Sequence, residues 1–74
     1  MNQQQIEEWA CEHDLDVRPV QYYHYRLMNS QGEYILDIYF KENKGGNIVR
    51  NSTLQWKTNK WFTPRSLKDL EKLL

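Results

Sequence analysis

The run Glu33 to Lys41 constrains this chain most, because it alternates: Tyr34, Leu36, Ile38 and Phe40 share one parity, and Glu33, Ile35, Asp37, Tyr39 and Lys41 the other. A two-residue period marks a strand with unlike faces, and the all-apolar face has to be covered by another element. Only 74 residues are present to cover it. A domain of that size buries about 60% of the surface its unfolded chain exposes, which leaves room for one core and little for an enclosed cleft. The reading is one domain over residues 1–74, and an elaborate enzyme is not expected.

The covering elements can be read on either side of that strand. Residues 2–14 have helical spacing, with Ile6, Trp9, Ala10 and His13 on one stripe, Asn2 as N-cap, and Glu7, Glu8 and Glu12 off the stripe. Pro19 disfavours helix at Arg18, so the chain turns extended there. Val20 to Met28 is rich in strand formers and ends in the turn residues Asn29-Ser30-Gln31-Gly32, which makes it a first strand. Glu42 to Gly46 carries a Gly-Gly turn, and Asn47 to Lys57 follows as a third strand with a break or bulge near Asn51-Ser52. Trp56 to Trp61 reads as a tight hairpin with Thr58-Asn59 at its tip, setting Trp56 across from Trp61 and adding a short fourth strand. Thr63-Pro64, or Ser66 with Asp69, opens a final helix to the end, with Leu67, Leu70, Leu73 and Leu74 on one face. The expected fold is α+β in the order α-β-β-β-α. A three-stranded antiparallel sheet, four-stranded with the hairpin, carries both helices on one face.

Composition narrows the function. The apolar fraction of 39% is low, and ten aromatic residues make up for it, each ring burying about 150–250 Å². Trp9, Phe40, Trp56 and Leu70 are the expected core. A single cysteine, Cys11, excludes an intrachain disulfide, and without a Cys/His cluster neither a metal nor a cofactor is expected. No signal-peptide pattern and no long apolar run occurs, so the expectation is a soluble cytoplasmic protein with no membrane partner. Charge is balanced at ten against ten but segregated: residues 1–16 hold five acids and no Lys or Arg, while residues 41–65 hold six cations against Glu42 alone.

Catalytic constellations are weak. Cys11 and His13 project roughly 200° apart on a helix and cannot share a proton. His24 with Asp37 across a hairpin would make an acid-base pair, but no nucleophile or oxyanion loop accompanies it, and the pairing reads as structural. Gly45-Gly46 lacks the spacing of a phosphate loop. No catalytic residue is assigned.

A sheet covered on one side leaves the other open, and aromatics with arginine supply most interface hot spots. The candidate binding residues are Tyr23, Tyr25 and Tyr39 on the open face, Arg26 beside the tyrosines, and Lys57, Lys60, Trp61 and Arg65 on the aromatic-basic turn. They point to a non-enzymatic module that binds a protein partner, acting as monomer or homodimer. Nucleic acid is the alternative ligand, because the same residue types stack on bases and neutralise phosphates.

Two resemblances bear on that choice. The α-β-β-β-α order resembles the double-stranded-RNA-binding domain, with Arg65 and Lys68 at the start of the last helix where that family carries a lysine-rich signature. The chain also resembles small proteins of phages and mobile elements, including anti-CRISPR-type inhibitors. The acidic helix, the strand Tyr34 to Phe40, the turn Trp56 to Trp61 and the closing helix Ser66 to Leu70 carry that likeness. The second resemblance implies an inhibitor that blocks a host or defence component.

Overall fold

The computed structural model describes all residues, Met1–Leu74. Helix α1 (Gln3–Glu12) is followed by strands β1 (Asp16–Gln21), β2 (His24–Met28), β3 (Tyr34–Glu42), β4 (Ile48–Gln55) and β5 (Lys60–Phe62), and then by the short helix α2 (Leu67–Glu71). The strands form one five-stranded antiparallel meander in chain order.

Local chemistry accounts for the ends of each element. Asn2 and Gln5 close α1 with a reciprocal capping box. At its other end Asp14 takes a left-handed φ of 57°, the Leu15 N–H returns to the Ala10 carbonyl and the Asp14 N–H to that of Cys11, a Schellman closure. Of the two sites offered for the start of the last helix, Ser66 is the one used, its hydroxyl accepting from the Asp69 N–H. The helix does not run to the end of the chain but stops at Glu71.

The sheet has five strands where three or four are expected. One extra comes from the hairpin after β4, and the other from Val20–Met28, which is not one strand. The chain reverses at Tyr22-Tyr23, and Val20 is an extra residue opposite the Tyr25-His24 step. Neither tyrosine has a positive φ, so the turn needs none of the Gly or Asn chemistry that marks reversals in a sequence. The bulge expected near Asn51-Ser52 falls at Val49, opposite Lys41-Glu42.

A further bulge, at Ile35, corrects the parity of β3. Leu27 pairs with Leu36 but Met28 pairs with Tyr34, so the alternation breaks between them. Ile35 packs against the core, and Tyr34 lies outside it, 45% exposed. The core gathers Ile6, Trp9 and Ala10 of α1, Tyr25, Leu27, Leu36, Ile38 and Phe40 of the sheet, and Leu70 and Leu73 of the C-terminal segment. All of the sheet residues share one face, so both helices cover that face and leave the other open. No helix is long and apolar enough to cross a membrane.

Candidate functional site: the open face of the sheet

The open face is organised around Asp37. Antiparallel pairing sets Arg26 directly across from Asp37 and His24 across from Tyr39, while Leu54 on the other side pairs with both Asp37 and Trp61. Asp37 is only 2% exposed, yet it carries a full set of donors. Its Oδ1 accepts from Arg26 Nε at 3.0 Å and Trp56 Nε1 at 2.9 Å, and its Oδ2 from Arg26 Nη2 at 3.1 Å and His24 Nε2 at 3.0 Å. Burial opposes ionisation, but the hydrogen bonds from Arg26, Trp56 and His24 outweigh it and hold the Asp37 carboxyl below its usual value. With every lone pair engaged, the carboxylate is an anchor and not a free base.

The anchored side chains are aromatic or stack on aromatics. The Arg26 guanidinium lies 4.4 Å from the Tyr34 ring centre and 5.7 Å from that of Trp56. Tyr34 and Trp56 meet at 5.2 Å, the His24 ring stacks on Tyr39 at 3.8 Å, and Tyr39 meets Trp61 at 5.6 Å. Together they form a belt running from Tyr34 through Trp56 and Arg26 to Tyr39 and Trp61. Trp61 is its most exposed ring, at 57%. Arg18, Lys41 and Arg50 are exposed around it and form no ion pair.

Tyr39 lies on this face as expected, and it is joined there by Arg26 and by Trp61, which the sequence reading places on the aromatic-basic turn. Tyr25 does not: at 5% exposure it packs edge-on against Phe40 in the core. Leu27, on the parity of Tyr25, is the signal in the sequence that marks that side as buried. Tyr23 sits in the β1–β2 turn at the end of the sheet, T-shaped against Tyr22. Trp56, expected in the core, is on the open face and 36% exposed.

The aromatic-basic turn does not form one patch. Gln55 pairs with Lys60 and Leu54 with Trp61, so residues 56–59 make the loop and Trp56 is not across from Trp61. Lys60 is therefore on the helix-covered side, beside Gln55, whose side-chain amide donates to the Leu73 carbonyl. Lys57 is exposed in the loop, and Arg65 is exposed beyond β5. His24, Asp37, Tyr34 and Trp56 belong to the belt although they are not among the predicted binding residues. A cation and an imidazole on one parity of a strand, facing an acid on the next, are the pattern that points to them.

No family model, curated protein or solved structure matches the chain.

Proposed function

We propose that this protein is a non-enzymatic binding module that grips a protein partner with the open face of its sheet. One observation carries the reading: the uncovered face presents an aromatic belt in which a buried, fully bonded carboxylate fixes Arg26, Trp56 and His24, and Tyr34 and Tyr39 stack on these fixed groups. Arginine and aromatic residues dominate interface energetics, and rings held in place before binding lose little rotamer freedom on contact. The resemblance to anti-CRISPR-type inhibitors gives a sharper version, in which the partner is a component of a bacterial defence complex and binding blocks it.

The test is quantitative affinity capture from a bacterial lysate with the wild type and Trp61→Ala side by side. Trp61 is exposed and makes no hydrogen bond, so the fold stays intact while the partner is lost. Equal recovery by both proteins would sink the proposal.

The unpaired Arg18, Lys41 and Arg50 around the belt favour nucleic acid as the second reading. That reading expects retention on single- or double-stranded nucleic acid that falls steeply with salt and is lost when these three become Glu. The observed order, α followed by five strands and α, has two strands more than the order that resembles the double-stranded-RNA-binding domain.

A further inference from the structure

The two edges of the sheet differ. β1 is bonded only to β2, and its outer edge contains Pro19, which has no N–H to offer another strand. The opposite edge is only half covered. β4 runs from Ile48 to Gln55, but β5 reaches only Thr53, Leu54 and Gln55.

Main-chain accounting shows what remains open. The Trp56 N–H donates to the Ile35 carbonyl, so with the observed register Leu54, Ser52 and Arg50 also direct their amides to β3. Gln55, Thr53 and Asn51 direct theirs the other way. β5 meets Gln55 with Lys60 and Thr53 with Phe62, and the next position in line with Asn51 is Pro64. Pro64 has no N–H to give the Asn51 carbonyl, and no main-chain bond joins the two residues. At the far end of this edge, the Ile48 N–H is taken by the Met1 carbonyl and Asn2 bridges Asn47. The N-terminal segment and β5 thus bracket a gap over Val49 to Ser52.

That gap is the floor of a groove of about 520 Å³ lined by Ile48, Val49, Arg50, Asn51 and Thr63 to Arg65. No acid lines it, and neither Arg50 nor Arg65 forms an ion pair. The Asn51 side-chain oxygen is also buried without a partner.

We infer that this groove binds a short extended segment of another protein, rich in Asp and Glu, that adds as a strand to the free edge of β4 between Met1-Asn2 and β5. Main-chain bonds to Asn51 would supply the register, and Arg50 and Arg65 would select carboxylates by charge-assisted hydrogen bonds. A second copy of the chain is a poorer occupant, because symmetric pairing of this edge brings its arginines together. The groove shares Arg50 with the rim of the belt, but none of the belt's rings lines it.

The probe is a set of short peptides alternating Val or Ile with Asp or Glu, with a matched set carrying Lys in place of the acids, titrated to millimolar concentration into the full chain and followed by amide NMR. The acidic set shifts Asn51 and its neighbours and slows exchange of the Asn51 amide, and the Lys set does neither. Asn51→Pro abolishes the effect. Because a proline could disturb the strand, Arg50→Glu with Arg65→Glu provides a surface control, weakening binding by about tenfold or more. Trp61→Ala leaves the Asn51 shifts unchanged, so failure of this site is distinguishable from failure of the open-face proposal. The inference is overturned if the acidic peptides leave Asn51 unperturbed, if the Lys set binds equally well, or if the Asn51 amide becomes protected with protein concentration alone, which would assign the edge to a second copy.

Discussion

At the scale of single residues, two ionisable groups tie elements together, and they respond to pH in opposite directions. Asp37 joins β2, β3 and Trp56 through four donors. Removing it strands those donors, although the partly exposed Arg26 and Trp56 recover some hydration, so Asp37→Ala is expected to cost about 2 kcal/mol in urea denaturation. Its carboxyl is held below the ordinary value of 3.8, so its contribution is complete above that value and is lost as pH falls through the depressed folded one. A thermal-denaturation series in acid will therefore drop less steeply for Asp37→Asn than for the wild type; parallel curves would show that the carboxylate is not the group responsible. His13 runs the other way. Its Nδ1 lies 2.9 Å from the Trp9 carbonyl and its Nε2 lies 3.6 Å from Glu71 of α2. The bond to the Trp9 carbonyl is the main reason that its pKa rises above 6.5, with Glu71 adding to it against partial desolvation. The protonated form is thus favoured by folding: the contribution is full below pH 6.5 and fades as pH climbs through the raised value. The stability difference between wild type and His13→Gln should shrink across that window, and a constant difference would assign His13 a packing role alone.

At the scale of elements, the ends of α1 invite a test in the stabilising direction. Asp14 holds the left-handed position that closes the helix, with φ of 57°, a conformation that costs an L residue roughly 1 kcal/mol and glycine almost nothing. Asp14→Gly should raise the free energy of unfolding by up to about 1 kcal/mol, and Asn2→Ala at the other end should lower it by about 1 kcal/mol. Destabilisation by Asp14→Gly would mean that the aspartate side chain contributes more than its backbone strain removes. Elements set by local chemistry are the ones legible in the sequence: the Asn2 cap, the extended chain at Pro19, the Gly-Gly turn and the Ser66 start. Of three single-residue insertions, those at Val20 and Ile35 are not legible and the one at Val49 is legible only as a break set too far along the strand, because the position of an extra residue shows itself only in the partner strand's register. Their effect on the candidate site is large. The Ile35 bulge moves Tyr34 out of the core and into the belt, and the turn at Tyr22-Tyr23 lets β1 form a separate edge strand. Tyr25 shares its parity with Leu27 and Tyr39 shares its parity with Asp37 and Lys41, a difference the sequence does carry. The pairing of Tyr25 with Ile38 sets the first in the core and the second on the opposite face.

At the scale of the whole molecule, zero net charge conceals a local excess of cations at the rim of the open face. Exposed Glu7, Glu8 and Glu12 of α1 share the helix-covered side with Lys60, Lys68 and Lys72, whereas the rim of the belt sets Arg18, Lys41 and Arg50 against Asp16 of β1. The Asp37 charge at the belt's centre is matched by Arg26 and buried, so an approaching partner meets mainly the outer cations. Such an arrangement orients an acidic partner before contact, and the orienting force acts over about 8 Å at physiological ionic strength. Rim charge and central rings should therefore separate kinetically on the captured partner. Lys41→Glu with Arg50→Glu is expected to slow association, and the wild-type association rate to fall roughly tenfold from low to physiological salt, with dissociation little changed. Trp61→Ala is expected to leave association nearly unchanged and to speed dissociation by about thirtyfold, the equivalent of about 2 kcal/mol for a central aromatic anchor. Surface plasmon resonance across a salt series reads both effects in one experiment. If Trp61→Ala instead slowed association and left dissociation alone, the ring would be acting before contact, and the belt would not be the surface that holds the partner.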